Sequence, residues 1–159
     1  MADMSPEIAR AISRIPSGCS ILTVRTDADR TGMLASWVQQ VAFEPPAVCV
    51  AVKSGRPILN LIDEAGGFTL NLLGENPGPM FRHFGKGFAP GEAAFSGLAA
   101  TDVAFGVAIP DRIAALSCKL MERRTIGDHD VLFGEVVEAL VDEAPPAPYV
   151  HLRKSGANY

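Results

Sequence analysis

Ser20-Ile21-Leu22-Thr23-Val24-Arg25 is a short β-rich run, followed by a polar turn from Thr26 to Gly32 and a second extended segment from Met33 to Phe43. The three pieces read as a hairpin. Glu44-Pro45-Pro46 then breaks the ladder, because proline has no backbone donor, and Ala47 to Lys53 resumes as the near-continuous apolar run of a buried strand. Phe68, Leu70 and Leu72 alternate with Thr69 and Asn71, a period of two that predicts a strand with one buried face. Ile113 to Glu122 and Val131 to Ala139 read as strands around a polar turn from Thr125 to Asp130, and Tyr149 to Leu152 as one more.

Helices are few and short. Ser5-Pro6-Glu7 offers a capping hydroxyl, a first-turn proline and an early acid, with Ile8, Ile12 and Ile15 following at near-helical spacing, so a short helix ends before Pro16. A second helix is expected over Ser54 to Glu64 and a single turn around Met80 to Phe84. Glycine and proline frame Gly85 to Gly91, which reads as an exposed loop carrying Lys86 and Phe88. Short strands joined by Gly/Pro turns favour a mainly β fold, a closed or split antiparallel barrel with a few short helices, over a doubly wound sheet. The dinucleotide fingerprint G-x-G-x-x-G is missing as well. The 159 residues fit one domain, which at this size hides roughly 70% of its unfolded surface.

A net charge of -4 with scattered basic residues gives no footprint for a nucleic-acid backbone. No apolar run approaches the roughly 20 residues that span a bilayer, and no apolar segment follows a basic start, so a cytoplasmic protein is expected. Cys19, Cys49 and Cys118 are odd in number and lie in apolar strand-like runs, where they read as buried, reduced thiols. His83, His129 and His151 share no ligand spacing with them, so no metal site is expected. Redox chemistry in such a chain needs an organic cofactor.

Three constellations carry candidate chemistry. Lys53-Ser54-Gly55-Arg56-Pro57 sits where a buried strand ends and a helix opens, bringing an ammonium, a hydroxyl and a guanidinium to a helix start; it suits a phosphate, and equally an ordinary cap with solvated basic neighbours. Ala35-Ser36-Trp37-Val38-Gln39-Gln40 sets small and amide-bearing residues beside one large aromatic, which fits the edge of a flat heteroaromatic ring, or an edge strand whose Trp37 is core and whose glutamines face water. Gly127-Asp128-His129-Asp130 is rich in turn formers, and only His129 asks for more: it can donate a hydrogen bond to an amide-bearing ligand such as nicotinamide.

The order of these pieces resembles the flavin reductase family. The resemblance rests on Met33-Leu34-Ala35-Ser36-Trp37-Val38-Gln39-Gln40-Val41-Ala42-Phe43-Glu44-Pro45-Pro46, Val50-Ala51-Val52-Lys53 with Arg56, Phe68-Thr69-Leu70-Asn71, and Gly127-Asp128-His129 with Phe133 and Gly134-Glu135-Val136. His83-Phe84 with Lys86-Gly87-Phe88-Ala89-Pro90-Gly91-Glu92 and Phe95-Ser96-Gly97 is similar to the reductase domain at the C-terminal end of some flavodiiron proteins. It covers about residues 10 to 153.

The resemblance implies an antiparallel split β-barrel with Greek-key connections, an FMN-binding (alternatively FAD-binding) homodimer with the flavin near the subunit interface, and hydride transfer from NADH or NADPH. By motif position, Ala35, Ser36, Trp37, Val38, Gln39 and Gln40 would line the isoalloxazine, and Lys53, Ser54 and Arg56 would hold the phosphate. Phe84, Lys86 and Phe88 would close over the flavin, and His129 would stand near the nicotinamide as the catalytic candidate. The electrons would pass to an oxygenase or another acceptor. Phe81, Phe84 and Phe88, apolar aromatics in a loop-like context, supply a candidate dimer patch. The di-iron and flavodoxin-like domains of the flavodiiron proteins have no counterpart here, so oxygen reduction at iron does not carry over; Met1 and the capped first helix favour a free-standing reductase over an excised domain. Two other readings stay open, a non-enzymatic flavin- or haem-binding module and an enzyme like pyridoxamine-phosphate oxidase, although substrate-phosphate arginines of the latter are not evident.

Overall fold

The computed structural model describes residues 4–157. In chain order the elements are α1 (Pro6–Ile12), β1 (Ser20–Arg25), β2 (Arg30–Ala35), β3 (Val38–Ala42), β4 (Ala47–Lys53), α2 (Ile58–Ala65), β5 (Gly67–Leu73), α3 (Gly78–Phe84), β6 (Thr101–Val103), β7 (Gly106–Ala108), β8 (Arg112–Ile126) and β9 (His129–Val141). Seven strands form one antiparallel sheet in the order β2-β1-β5-β8-β9-β4-β3, and β6-β7 is a separate hairpin. The two edge strands, β2 and β3, are consecutive in the chain and joined through Ser36 and Trp37 alone. That link reaches no more than roughly 11 Å from Ala35 to Val38, so the sheet curls until its edges approach. The result is a mainly β split barrel, the expected class.

Period-two alternation in β1 serves two cores at once. Leu22 and Val24 join Val50, Val52, Phe68, Leu70, Cys118 and Leu132 in one apolar cluster, to which α2 adds Ile58, Leu59 and Ile62. Ile21 points the other way and joins Cys19, Leu73, Phe95, Val107 and Ile109, with Met80 and Phe84 from α3. The second cluster accounts for a departure from expectation. β5 is buried on both faces, not one. Asn71 of β5 and Thr23 of the neighbouring β1 bond the backbone laid over them: Ile109 N–H donates to Asn71 Oδ1 at 3.0 Å, Asn71 Nδ2 donates to Val107 O at 3.0 Å, and Thr23 Oγ1 donates to Val107 O at 2.8 Å. Buried polar atoms are tolerated because they are paired.

Several boundaries move for local reasons. Ser5 caps α1 as expected, accepting from Ile8 N–H at 3.3 Å. α2 begins at Ile58 rather than at Ser54, because Gly55 is left-handed (φ 81°) and the residue before Pro57 is steered away from helix. The extended segment from Met33 to Phe43 is two strands split at Ser36-Trp37. β8 and β9 run longer than expected, for 15 and 13 residues, so the polar turn shrinks to Gly127-Asp128, with Gly127 at φ 60°. Tyr149 to Leu152 is not a strand; Pro148 and His151 form isolated bridges to Gly74 and Ser17. β6 and β7 were not expected. Phe81, Phe84 and Phe88 make no exposed patch either: Phe84 is 1% exposed and the other two pack against the second core. The exposed apolar groups lie elsewhere, with Phe43 at 89%.

Candidate functional site

A groove runs along the end of β2. Its inner part, about 230 Å³, is lined by Met33, Leu34, Ala35 and Ser36 of the β2 end, by Ala51, Val52 and Lys53 of β4, and by Arg56. Its outer part, about 380 Å³, shares Met33 and Arg56 and is walled by Thr31, Ile58, Leu61, Lys86 and Phe88. The combined space is of the size that holds a cofactor-sized ligand. Ala35, a small residue, lets the groove approach the β2 backbone. Met33, Ile58, Leu61 and Phe88 give it apolar walls, and Lys53, Arg56 and Lys86 gather three cations along it in a chain of net charge -4. An anionic, flat-ringed ligand fits that donor set.

The start of α2 contributes less than a helix N-terminus normally would. Leu59 N–H and Asn60 N–H are spent on Arg56 O and Pro57 O, Arg56 N–H on Lys53 O, and Ser54 N–H on Asp128 O. Four backbone N–H groups at this end are thus already bonded, and the Lys53 and Arg56 side chains supply the charge for a phosphate. Ser54 is also committed: its hydroxyl bonds the Asp130 carboxylate, which accepts from Thr125 Oγ1 at 2.6 Å and pairs with Arg123 Nε at 3.3 Å. These bonds, Thr125's first, hold the Asp130 carboxyl down to about 2. Asp130 is 3% exposed and Arg123 also pairs with Asp63 of α2, so the network ties the β8-β9 hairpin to α2. Sequence reading took Asp130 for a turn former; its buried position, set by the register of β9, is the signal that was missing.

The candidate ring-binding segment divides at Ser36. Ala35 and Ser36 face the groove, whereas Trp37, Val38 and Gln39 line a second cavity of about 690 Å³ with Ser36, Cys49, Ala51, Val131, Tyr149 and Arg153. Gln40 stands farther along the exposed edge strand and bonds Ala42 O at 3.3 Å. Phe84 lies beneath β2: a Cβ on Gly32 would come within 2.9 Å of its ring, so Phe84 supports the groove floor from behind. Phe88 and Lys86 are on the groove wall, with Lys86 Nζ 4.9 Å from the Phe88 ring centroid. Their loop is held by Gly91 N–H, which donates to Asp29 Oδ2 at 2.9 Å.

His129 opens β9 and is 9% exposed. Its Nδ1 is 2.8 Å from Asp128 Oδ1, a contact in which the ring nitrogen donates to the carboxylate and draws Asp128 below its ordinary range. The ring stands 4.8 Å from that of Trp37, centroid to centroid. Burial pushes Cys19 to about 11 and Cys118 to about 12 and raises Cys49, so none of the three is a thiolate near neutral pH. Among the described residues no group of His, Cys, Asp and Glu is placed to hold a metal ion, and no helix is long and apolar enough to cross a membrane.

Comparison with known proteins adds four findings. The sequence pattern of the family described as Flavin reductase like domain matches residues 12–158. Diflavin flavoprotein A 1 of a Synechocystis species is 34% identical over 161 residues; they cover 100% of this chain and 28% of that protein, so the chain spans little more than a quarter of the relative's length. In three dimensions the chain superposes on an NADH:FAD oxidoreductase of Streptomyces globisporus with a TM-score of 0.83 at 22% identity, covering 99% of this chain and 94% of that one. A styrene monooxygenase flavin reductase of Pseudomonas putida superposes with a TM-score of 0.74 at 24% identity, covering 89% and 90%. At these identities the two solved structures speak for the fold.

Proposed function

We propose that this chain, which belongs to the flavin reductase-like family, is an oxidoreductase that moves hydride from NADH or NADPH to a flavin seated in the β2 groove, as a single flavin-binding domain. The observation that carries the reading is the groove itself: Ala35, Ser36, Lys53 and Arg56 line its inner part, and Lys86 and Phe88 its outer part. The flavin supplies the two-electron chemistry. The chain's own residues bind, orient and exclude water, devices that lower a barrier by fixing reactants in place. Lys53 and Arg56 pair with phosphate, and Ser54 is oriented beside them by Asp130. Met33 and Phe88 shield the ring, and the β2 backbone reads its edge.

His129 serves the nicotinamide side. Its imidazole, oriented through Nδ1 by the Asp128 carboxylate, would position the carboxamide. We assign FMN as the preferred flavin, because Lys53 and Arg56 stand together in the inner part of the groove and suit a single phosphate. A homodimer in the cytoplasm, with an oxygenase or another electron acceptor downstream, completes the reading; the neighbour named as a styrene monooxygenase flavin reductase supports such an acceptor. Stopped-flow bleaching of the flavin-loaded protein by NADH and by NADPH tests it. Rapid loss of flavin absorbance is expected, and a flavin that binds but is reduced no faster than free flavin overturns it.

A further inference from the structure

The C-terminal segment after β9 lines the second cavity as a strap, through Pro148, Tyr149, Val150 and Arg153, and it is fastened on both sides of that arginine. Before Arg153, Ser17 and His151 exchange backbone bonds, Ser17 N–H to His151 O at 3.0 Å and His151 N–H to Ser17 O at 2.6 Å. After it, Gly156 N–H donates to Ala9 O of α1 at 2.9 Å, and a Cβ on Gly156 would come within 2.6 Å of that oxygen, so the strap lies directly on the helix. Between the fasteners the Arg153 guanidinium stands over the Trp37 ring, 5.0 Å from its centroid. The Trp37 ring is in turn 4.8 Å from that of His129, and His129 Nδ1 is held by Asp128. No carboxylate among the described residues pairs with Arg153.

We propose that Arg153 is a positioning residue: it clamps the Trp37 indole against His129 and so fixes where the imidazole meets the nicotinamide. The inference rests on the role of His129 proposed above. Its physical basis is the attraction of a planar cation for an indole face, which Arg supplies better than Lys and an uncharged side chain does not supply at all. Trp37 joins β2 to β3 and is the one residue between Ser36, which lines the groove, and Val38. Without the clamp the indole turns into the 690 Å³ cavity it borders, and the imidazole loses the surface it rests on. Misplacement by a fraction of an ångström costs rate while flavin binding, which uses other residues, persists.

Trp37 is the sole tryptophan of the chain, so its fluorescence reads the contact directly. In Arg153→Met, with flavin removed, Trp37 emission should shift to the red and acrylamide should quench it more strongly. In the FMN-loaded variant, single-turnover reduction at saturating NADH should fall about tenfold, with FMN affinity and thermal midpoint within error of wild type. Arg153→Lys should recover part of both signals. Unchanged Trp37 emission and quenching in Arg153→Met overturn the clamp, whatever the kinetics. Slowed reduction in His129→Asn with a wild-type rate in Arg153→Met also overturns it and leaves the function standing. A full rate in His129→Asn instead removes the proposed role of His129, and with it the positioning role of Arg153. Slowing of both, with altered Trp37 fluorescence in Arg153→Met, supports it.

Discussion

Lys53, the last residue of β4, lies directly opposite His129, the first residue of β9, in an antiparallel ladder. Directly opposed residues share a face of the sheet, so the cation assigned to phosphate and the imidazole assigned to nicotinamide are held in register by one pair of strands. One step along, Ala51 opposes Val131, and both line the cavity beside Trp37. Between them stands Val52 opposite Asp130, on the other face, where Val52 is core and Asp130 is anchored by Thr125, Ser54 and Arg123.

Arg56 should matter for phosphate more than for the ring. It is exposed and lines both parts of the groove. Arg56→Glu removes a charge-assisted hydrogen bond and adds a repulsive acid, so FMN affinity should fall by about a hundredfold or more, while riboflavin affinity changes little. Fluorescence titration with both flavins checks this. Equal losses would mean that Arg56 acts through folding.

Asn71→Leu should destabilise the barrel without touching the groove. Ile109 N–H loses its acceptor, while Val107 O keeps Thr23 as a donor. One buried unpaired N–H costs about 1–3 kcal/mol. The urea midpoint should drop with the slope unchanged, and the folded variant should keep its FMN affinity. A wild-type midpoint would show that the β7 segment is not held to the barrel by this residue.

How much of this was legible in the sequence depends on the range of the interaction concerned. The Ser5 cap, the β1-β2 hairpin and the apolar run of β4 are local patterns, and the residues alone announce them. The double burial of β5 is not local: Thr69 and Asn71 read as solvent-facing until β7 is laid across them. β6 and β7 span three residues each, too short for periodicity to show. In the site, Lys53, Arg56, Ala35, Ser36, Lys86 and Phe88 were legible as a motif and do come to one groove. The division of the Ala35 to Gln40 segment at Ser36 was not, because the edge-to-edge closure of the barrel decides which way Trp37 faces. Nor was Arg153, whose place over Trp37 depends on bonds to Ser17 and Ala9 more than a hundred positions earlier in the chain.

Asp130 should give stability an acid limb. Its carboxyl is held at about 2 in the folded protein, against an ordinary 3.8, first by Thr125 and then by Ser54 and Arg123. A depressed carboxyl contributes stability that is complete above its unfolded value and is lost as pH falls through its folded one. The thermal midpoint should therefore decline between about pH 4 and pH 2. Asp130→Asn should start lower at neutral pH and decline less across that window. A decline of the same size in the variant would assign the limb to other carboxylates.

His129→Asn separates a structural role from a chemical one. The turn itself is Gly127-Asp128, so His129 is not needed to make it; its imidazole is buried, bonded to Asp128 and packed on Trp37. Asparagine keeps a polar group near Asp128 but removes the ring. FMN should then bind as in wild type, because none of the groove-lining residues is changed, while reduction at saturating NADH should slow by roughly a hundredfold, as expected for a donor misplaced by about 1 Å. Single-turnover absorbance of the FMN-loaded variant measures this, and a 4-deuterated donor should give a primary isotope effect if hydride transfer is the observed step. Thermal melting run in parallel shows whether the loss of the ring has loosened the hairpin. An unchanged rate with unchanged nicotinamide affinity would take His129 out of the site, leaving the fixed approach of the two rings in the groove as the source of catalysis.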